Sequence, residues 1–178
     1  DKGVDFRLFH GNECDILPDG GLDYTDEERS ILDHVVGSVH QLPTWMKRDE
    51  DVNTEALIRA IENPSLTILG HPTGRILGGR DGFAVDLHAV IRRMGELNAE
   101  GELKVVEINA SPYRLDLDWR YCRFAKEQGV PISINPDAHS QQGLKDVWFG
   151  AQIARKGWRE ETDILNCRSG SDLEQLLW

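Results

Sequence analysis

Short apolar runs alternate along this chain with stretches of helical periodicity. Runs with strand character cover Phe6 to Leu17, Val35 to Val39, Leu66 to Leu69, Lys104 to Ile108 and Pro131 to Asn135. Between and after them, amphipathic helical patterns cover Thr25 to Leu32, Asn53 to Glu62, Asp86 to Asn98, Leu117 to Gln128 and Leu144 to Arg155. Strand and helix in alternation predict βα units on a parallel sheet, an α/β fold. Helix-start signals support the boundaries: Thr25 precedes an acidic turn, Asn53 precedes Thr-Glu-Ala-Leu-Ile, and Asp86 precedes Leu87. Gly101 and Gly129 fall where helices should stop. The sequence has no internal repeat, no low-complexity segment and no long linker, and the Gly-rich stretches at 19–21 and 78–82 read as surface loops.

Five residues able to bind metal punctuate this pattern: Glu13, His40, His71, Asp137 and His139. Four of them sit at or just past the end of an apolar run. The C-terminal ends of parallel strands converge on one face, which is where enzymes with such sheets gather their chemical residues. Imidazole and carboxylate together suit Zn²⁺, Mn²⁺ or Fe²⁺, so the expectation is a metal site. Asp137 and His139 are two residues apart, and on an extended segment they would face the same way. His10, His34 and His88 lack such context and read as packing or surface residues.

The chain has 178 residues, 39% of them hydrophobic and 29% charged, enough for one sizeable core, so residues 1–178 are taken as one domain. Thirty-one acidic against twenty basic residues give a net charge of −11, which opposes stand-alone binding to a polyanion. Cys14, Cys122 and Cys167 are far apart and odd in number, which favours neither a disulfide framework nor a thiolate zinc site and fits a reduced cytoplasm. No run is long enough to span a membrane, and the first residues have no signal-peptide character. The five tryptophans form no stacking ladder and read as packing residues.

Five strands are too few for a closed (βα)₈ barrel, which usually needs about 250 residues. A metal site of this kind also wants an HxH pair on an early strand, and none occurs here. Either the site is simpler than this, or the chain is a fragment whose first ligands lie before Asp1.

Five segments in order carry a family resemblance: Glu13-Cys14-Asp15-Ile16-Leu17-Pro18-Asp19-Gly20, Ser38-Val39-His40, Gly70-His71-Pro72-Thr73-Gly74-Arg75, Glu107-Ile108-Asn109-Ala110-Ser111-Pro112-Tyr113-Arg114-Leu115-Asp116 and Asn135-Pro136-Asp137-Ala138-His139-Ser140. They resemble the polymerase and histidinol phosphatase (PHP) superfamily, most of all the C-terminal PHP domain of bacterial X-family DNA polymerases. The resemblance implies part of a distorted (βα)₇ TIM-like barrel lacking its opening HxH motif. A complete domain of this kind would hold up to three divalent ions, Mn²⁺ or Zn²⁺, and act as a 3′-5′ exonuclease and phosphatase in DNA repair. Carried over, Glu13 would be a bridging carboxylate, and His40, His71, Asp137 and His139 would be ligands. DNA 3′ ends would be the substrate, delivered in a full-length parent with an upstream polymerase domain.

Arg75 and Arg114 are weaker candidates for gripping a substrate phosphate, with a structural salt bridge as the alternative for each. Glu107 and Asn109 share a strand face and either line the pocket or orient a loop. Two further functional readings stay open: a free-standing phosphatase of a small phosphomonoester such as histidinol phosphate, and a non-catalytic structural module.

Overall fold

The computed structural model describes residues 7–177. The expected first strand begins at Phe6, outside the described residues, and the strand observed is shorter. Five parallel strands, β1 (Gly11–Asp15), β2 (His34–Ser38), β3 (Ile68–Leu69), β4 (Val105–Asn109) and β5 (Ile132–Asn135), pair in sequence order, with Glu13 opposite Val36 and Asn109 opposite Asn135. Parallel neighbours need crossovers, and crossovers of one hand in unbroken order put every connecting helix on one side of the sheet. This is the winding of a (βα) barrel, here as an open five-stranded part of a TIM-like barrel.

Strand alternation separates two chemistries. Cys14, Ile16, Val35, Val39, Leu69, Val106, Ile108, Ile132 and Ile134 point one way and are buried, all but Cys14 and Val35 in one continuous core with the helices. The other face carries Glu13, Asp15, Ser38, Glu107, Asn109, Ser133 and Asn135. Most parallel sheets are apolar on both faces. This one gathers its polar groups on one face, beside Val36, Ile68 and Val105.

The principal outer helices are α3 (Glu50–Ile61), α4 (Leu87–Ala99), α5 (Trp119–Glu127) and α6 (Val147–Lys156), each packed beside the next. Two one-turn helices, α1 (Asp26–Arg29) and α2 (Leu42–Trp45), precede them. Thr25 closes a capping box with Glu28, and Asp86 accepts from the His88 and Ala89 amides, as their positions predicted. Gly101 and Gly129 adopt left-handed φ of 98° and 70° after α4 and α5.

Asn53 is a correction. The helix starts at Glu50, so Asn53 lies inside it, buried, donating to the Trp45 and Ala84 carbonyls rather than capping. The sequence reading also missed α2 and the last helix, α7 (Gly170–Leu177). Leu173 and Leu177 of α7 line, with Phe9, a cavity of 210 Å³ on the polar face toward the strand starts. That end is furnished with apolar side chains, and the chemistry is left to the strand ends.

Gly95 tests how tightly the outer helices nest. A Cβ there would lie 2.3 Å from the Gln128 carbonyl oxygen at the end of α5. Alanine gains about 1 kcal/mol of helix propensity, but overpacking against backbone costs about 1–3 kcal/mol and a carbonyl cannot swing away. Gly95→Ala is expected to lower the urea denaturation midpoint by the equivalent of about 1–2 kcal/mol; an increase would show that α4 and α5 do not touch there.

Candidate metal centre

Glu13 points from the middle of β1 onto the polar face, while His40 and His71 follow the ends of β2 and β3. Pairing brings them together: the His71 Nε2 lies 3.2 Å and the His40 Nε2 3.5 Å from Glu13 Oε1. One ligand atom from each of the three lies within 4.8 Å of the others. Two ligands about 2.1 Å from a tetrahedral ion stand about 3.4 Å apart, so the spacing suits one cation. One carboxylate and two imidazoles form a donor set for Zn²⁺ or a similar divalent metal.

Backbone structure explains the convergence. At Gly70, a Cβ would fall 2.3 Å from Ser38 Oγ and 2.9 Å from Val36 Cγ1, so glycine lets β3 end close beside β2 without moving either side chain. The next residue, His71, has a φ of 22° and is 2% exposed. Its amide donates to Glu107 Oε2 at 2.7 Å, and Glu107 Oε1 accepts from the Asn135 side chain at 3.0 Å. Glu107 therefore does both things considered for it: it lines the polar face and fixes a loop. Its carboxyl is pushed above the usual range by burial, with nearby His71 opposing.

The His40 ring is held from both sides, Nε2 facing Glu13 and Nδ1 in contact with Asp15 Oδ1. The carboxylates raise His40 to about 9, Glu13 foremost and Asp15 after it, against the opposing effect of burial. Glu13 moves the other way, well below the usual carboxylate range, through His40 first and His71 second. Asp15 was not singled out by sequence, although its two-residue spacing from Glu13 on one strand was the available signal.

Asp137 lines a 240 Å³ cavity on the polar face together with Glu13, Glu107, Asn109 and Asn135. It accepts from Asn109 Nδ2 at 3.1 Å and lies 3.5 Å from Arg114 Nε. His139 is different: its ring is 89% exposed, its Nδ1 lies 2.9 Å from the Asp137 carbonyl oxygen, and it is not part of the triad. The two-residue argument assumed an extended chain, whereas Asp137 has a φ of 50° and the backbone turns there.

The two arginines also part ways. Arg75 donates to the Arg114 and Leu115 carbonyls and to Asp118 Oδ2, stitching the loop after β3 to the loop after β4. Asp116, fully buried, strengthens the seam by accepting from the Thr73 amide and hydroxyl at 3.0 and 2.8 Å. Arg75 thus takes the structural alternative. Arg114 turns toward Asp137, and its NH1 is buried without a hydrogen-bond partner.

A TIM-like parallel domain with a carboxylate and imidazole centre at its strand ends is the class defined by fold and site together. No family model matches the chain. It is 40% identical over 97% of its length to the DNA polymerase/3′-5′ exonuclease PolX of Bacillus subtilis. It is 29% identical over 78% of its length to a probable phosphatase of Clostridium acetobutylicum, and 30% identical over 98% to one of Thermoanaerobacter sp.. The chain spans 29%, 54% and 69% of those three proteins. It belongs to the PHP superfamily, and the correspondence with PolX runs through nearly the whole sequence.

The opposed shifts make stability depend on pH in the metal-free chain. His40, raised above its ordinary 6.5, contributes stability that is complete below 6.5 and lost as pH climbs through about 9. Glu13, lowered from 4.5, contributes stability that is present above 4.5 and lost as acid protonates it. With a chelator present, the melting temperature is expected to be highest between these limits and to fall toward pH 9. His40→Ala should flatten the alkaline fall; the same slope in that variant would show that another group causes it.

Proposed function

We propose that this chain is a metal-dependent phosphoesterase domain, of the 3′-5′ exonuclease type, from an X-family DNA polymerase. The observation that carries the reading is the Glu13, His40 and His71 triad at the strand ends of a domain 40% identical to a region of PolX. Glu13, His40 and His71 would hold one Mn²⁺ or Zn²⁺ ion, with Asp137 across the same cavity and His139 on the loop above as ligands to further cations. A divalent cation in such a site lowers the pKa of water and offsets charge on the leaving oxygen. Arg114, whose Nε lies 3.5 Å from Asp137 Oδ2 and whose Nη1 has no hydrogen-bond partner, would take a substrate phosphate by turning its guanidinium toward the cavity. Arg75 supports that role by holding the Arg114 carbonyl.

Supporting the DNA reading over a small phosphomonoester is the greater identity to PolX than to the probable phosphatases. DNA 3′ ends would be presented by an upstream polymerase domain within a cytoplasmic parent protein, because a net charge of −11 disfavours duplex binding by this chain alone. In that parent, Glu13→Gln and His71→Ala are each expected to reduce Mn²⁺-dependent removal of 3′ nucleotides at least about 100-fold while sparing nucleotide addition. Paired nuclease and polymerase assays check this. Unimpaired nuclease activity would overturn the site; faster hydrolysis of histidinol phosphate than of DNA would favour the small-substrate reading; no hydrolysis of either would leave a structural module.

Metal binding itself should depend on pH. A cation on His40 Nε2 must displace a proton from a ring whose pKa is about 9, so apparent affinity is expected to rise about tenfold per pH unit below that value. Titration against a competing chelator at several pH values measures the slope. A flat dependence would remove His40 from the ligand set.

A further inference from the structure

Beyond the triad, one carboxylate touches a metal-facing histidine on its far side. Asp15 ends β1 two residues after Glu13, so both side chains emerge on the same face of the strand. Its backbone is pinned at both polar atoms: the Asp15 amide donates to Asp23 Oδ1 at 2.8 Å, and its carbonyl accepts from the Asp23 amide at 3.1 Å. That clamp fixes the carboxylate against His40 Nδ1, while the opposite ring nitrogen, Nε2, faces Glu13 and the triad.

A neutral imidazole carries one proton, and only the bare nitrogen can bind a cation. Carboxylates face both ring nitrogens, but Asp15 is in direct contact with Nδ1 whereas Glu13 stands 3.5 Å from Nε2. The closer anion favours the tautomer with the proton on Nδ1 and leaves the Nε2 lone pair for a cation. It also holds the ring plane and makes Nε2 a stronger donor. We infer that Asp15 is a positioning residue that sets the tautomer and orientation of His40 for metal binding. The inference rests on the proposed metal centre; its structural half, control of the His40 ring, does not.

The tests separate the two. In the metal-free chain, at a pH where the ring is observed to have lost its second proton, ¹⁵N NMR is expected to report the Nδ1–H tautomer of His40 in the unaltered protein. In Asp15→Ala the ring should shift toward Nε2–H, the form preferred by a free imidazole. Asp15→Asn keeps a carbonyl acceptor and should restore Nδ1–H in part. Affinity for Zn²⁺, read by chelator competition at fixed pH, should fall roughly 10- to 100-fold in Asp15→Ala and less in Asp15→Asn. In a His40→Ala background, adding Asp15→Ala should cost no further affinity, which a general loosening of the fold would not reproduce. An unchanged tautomer in Asp15→Ala, or an undiminished effect without His40, overturns the role of Asp15. If the unaltered chain binds no Zn²⁺ while the tautomer shift occurs as expected, the metal centre fails and the control of the ring stands.

Discussion

The hydrogen bond from the His71 amide to Glu107 organises the strand ends. Glu107 is 4% exposed on the polar face, and a carboxylate so placed is costly unless its oxygens are satisfied. Its two donors come from different neighbours, the backbone after β3 and the Asn135 side chain at the end of β5. One side chain on β4, which lies between β3 and β5, thereby ties the loop that bears His71 to the strand that leads to Asp137. Asn109, two residues on, repeats the device one level higher by bonding Asp137 directly. The loops after β3 and β5 are thus held by buried amides and carboxylates.

Much of the fold was legible in the sequence. Alternating apolar runs located the strands because each buries a row of aliphatic side chains under the helices, and Thr25, Asp86, Gly101 and Gly129 marked helix ends through chemistry local to each position. Asn53 misled because its type favours a cap, whereas its amide is consumed by carbonyls from two other segments. The one-turn α2 and the terminal α7 carry too few periodic positions to stand out, and α7 takes its place through contacts distant in sequence.

The site was legible in its residue types and only partly in its geometry. Glu13, His40 and His71 meet because strand register brings them together, and strand ends are readable from hydrophobicity. His139 shows the limit of that reasoning. A two-residue spacing means a shared face only while the backbone stays extended, and the positive φ of Asp137 ends that condition one residue too early. Arg75 shows another: a guanidinium near a ligand is equally suited to gripping a phosphate and to closing a loop, and the loop contacts it makes are visible only in three dimensions.

Electrostatics links the architecture to the chemistry proposed for it. Glu13 and Asp15 place two negative charges on one strand face beside His40, within a chain whose net charge is already −11. The pair is tolerable because His40 binds a second proton tightly, so a positive charge is held between the carboxylates. A divalent cation facing Nε2 would satisfy the same demand more fully, releasing one proton and contributing twice the charge. The arrangement that stabilises an imidazolium here is therefore the arrangement that favours a metal, and an acidic, polar strand end becomes a place where a phosphate can be bound only once cations have reversed its sign.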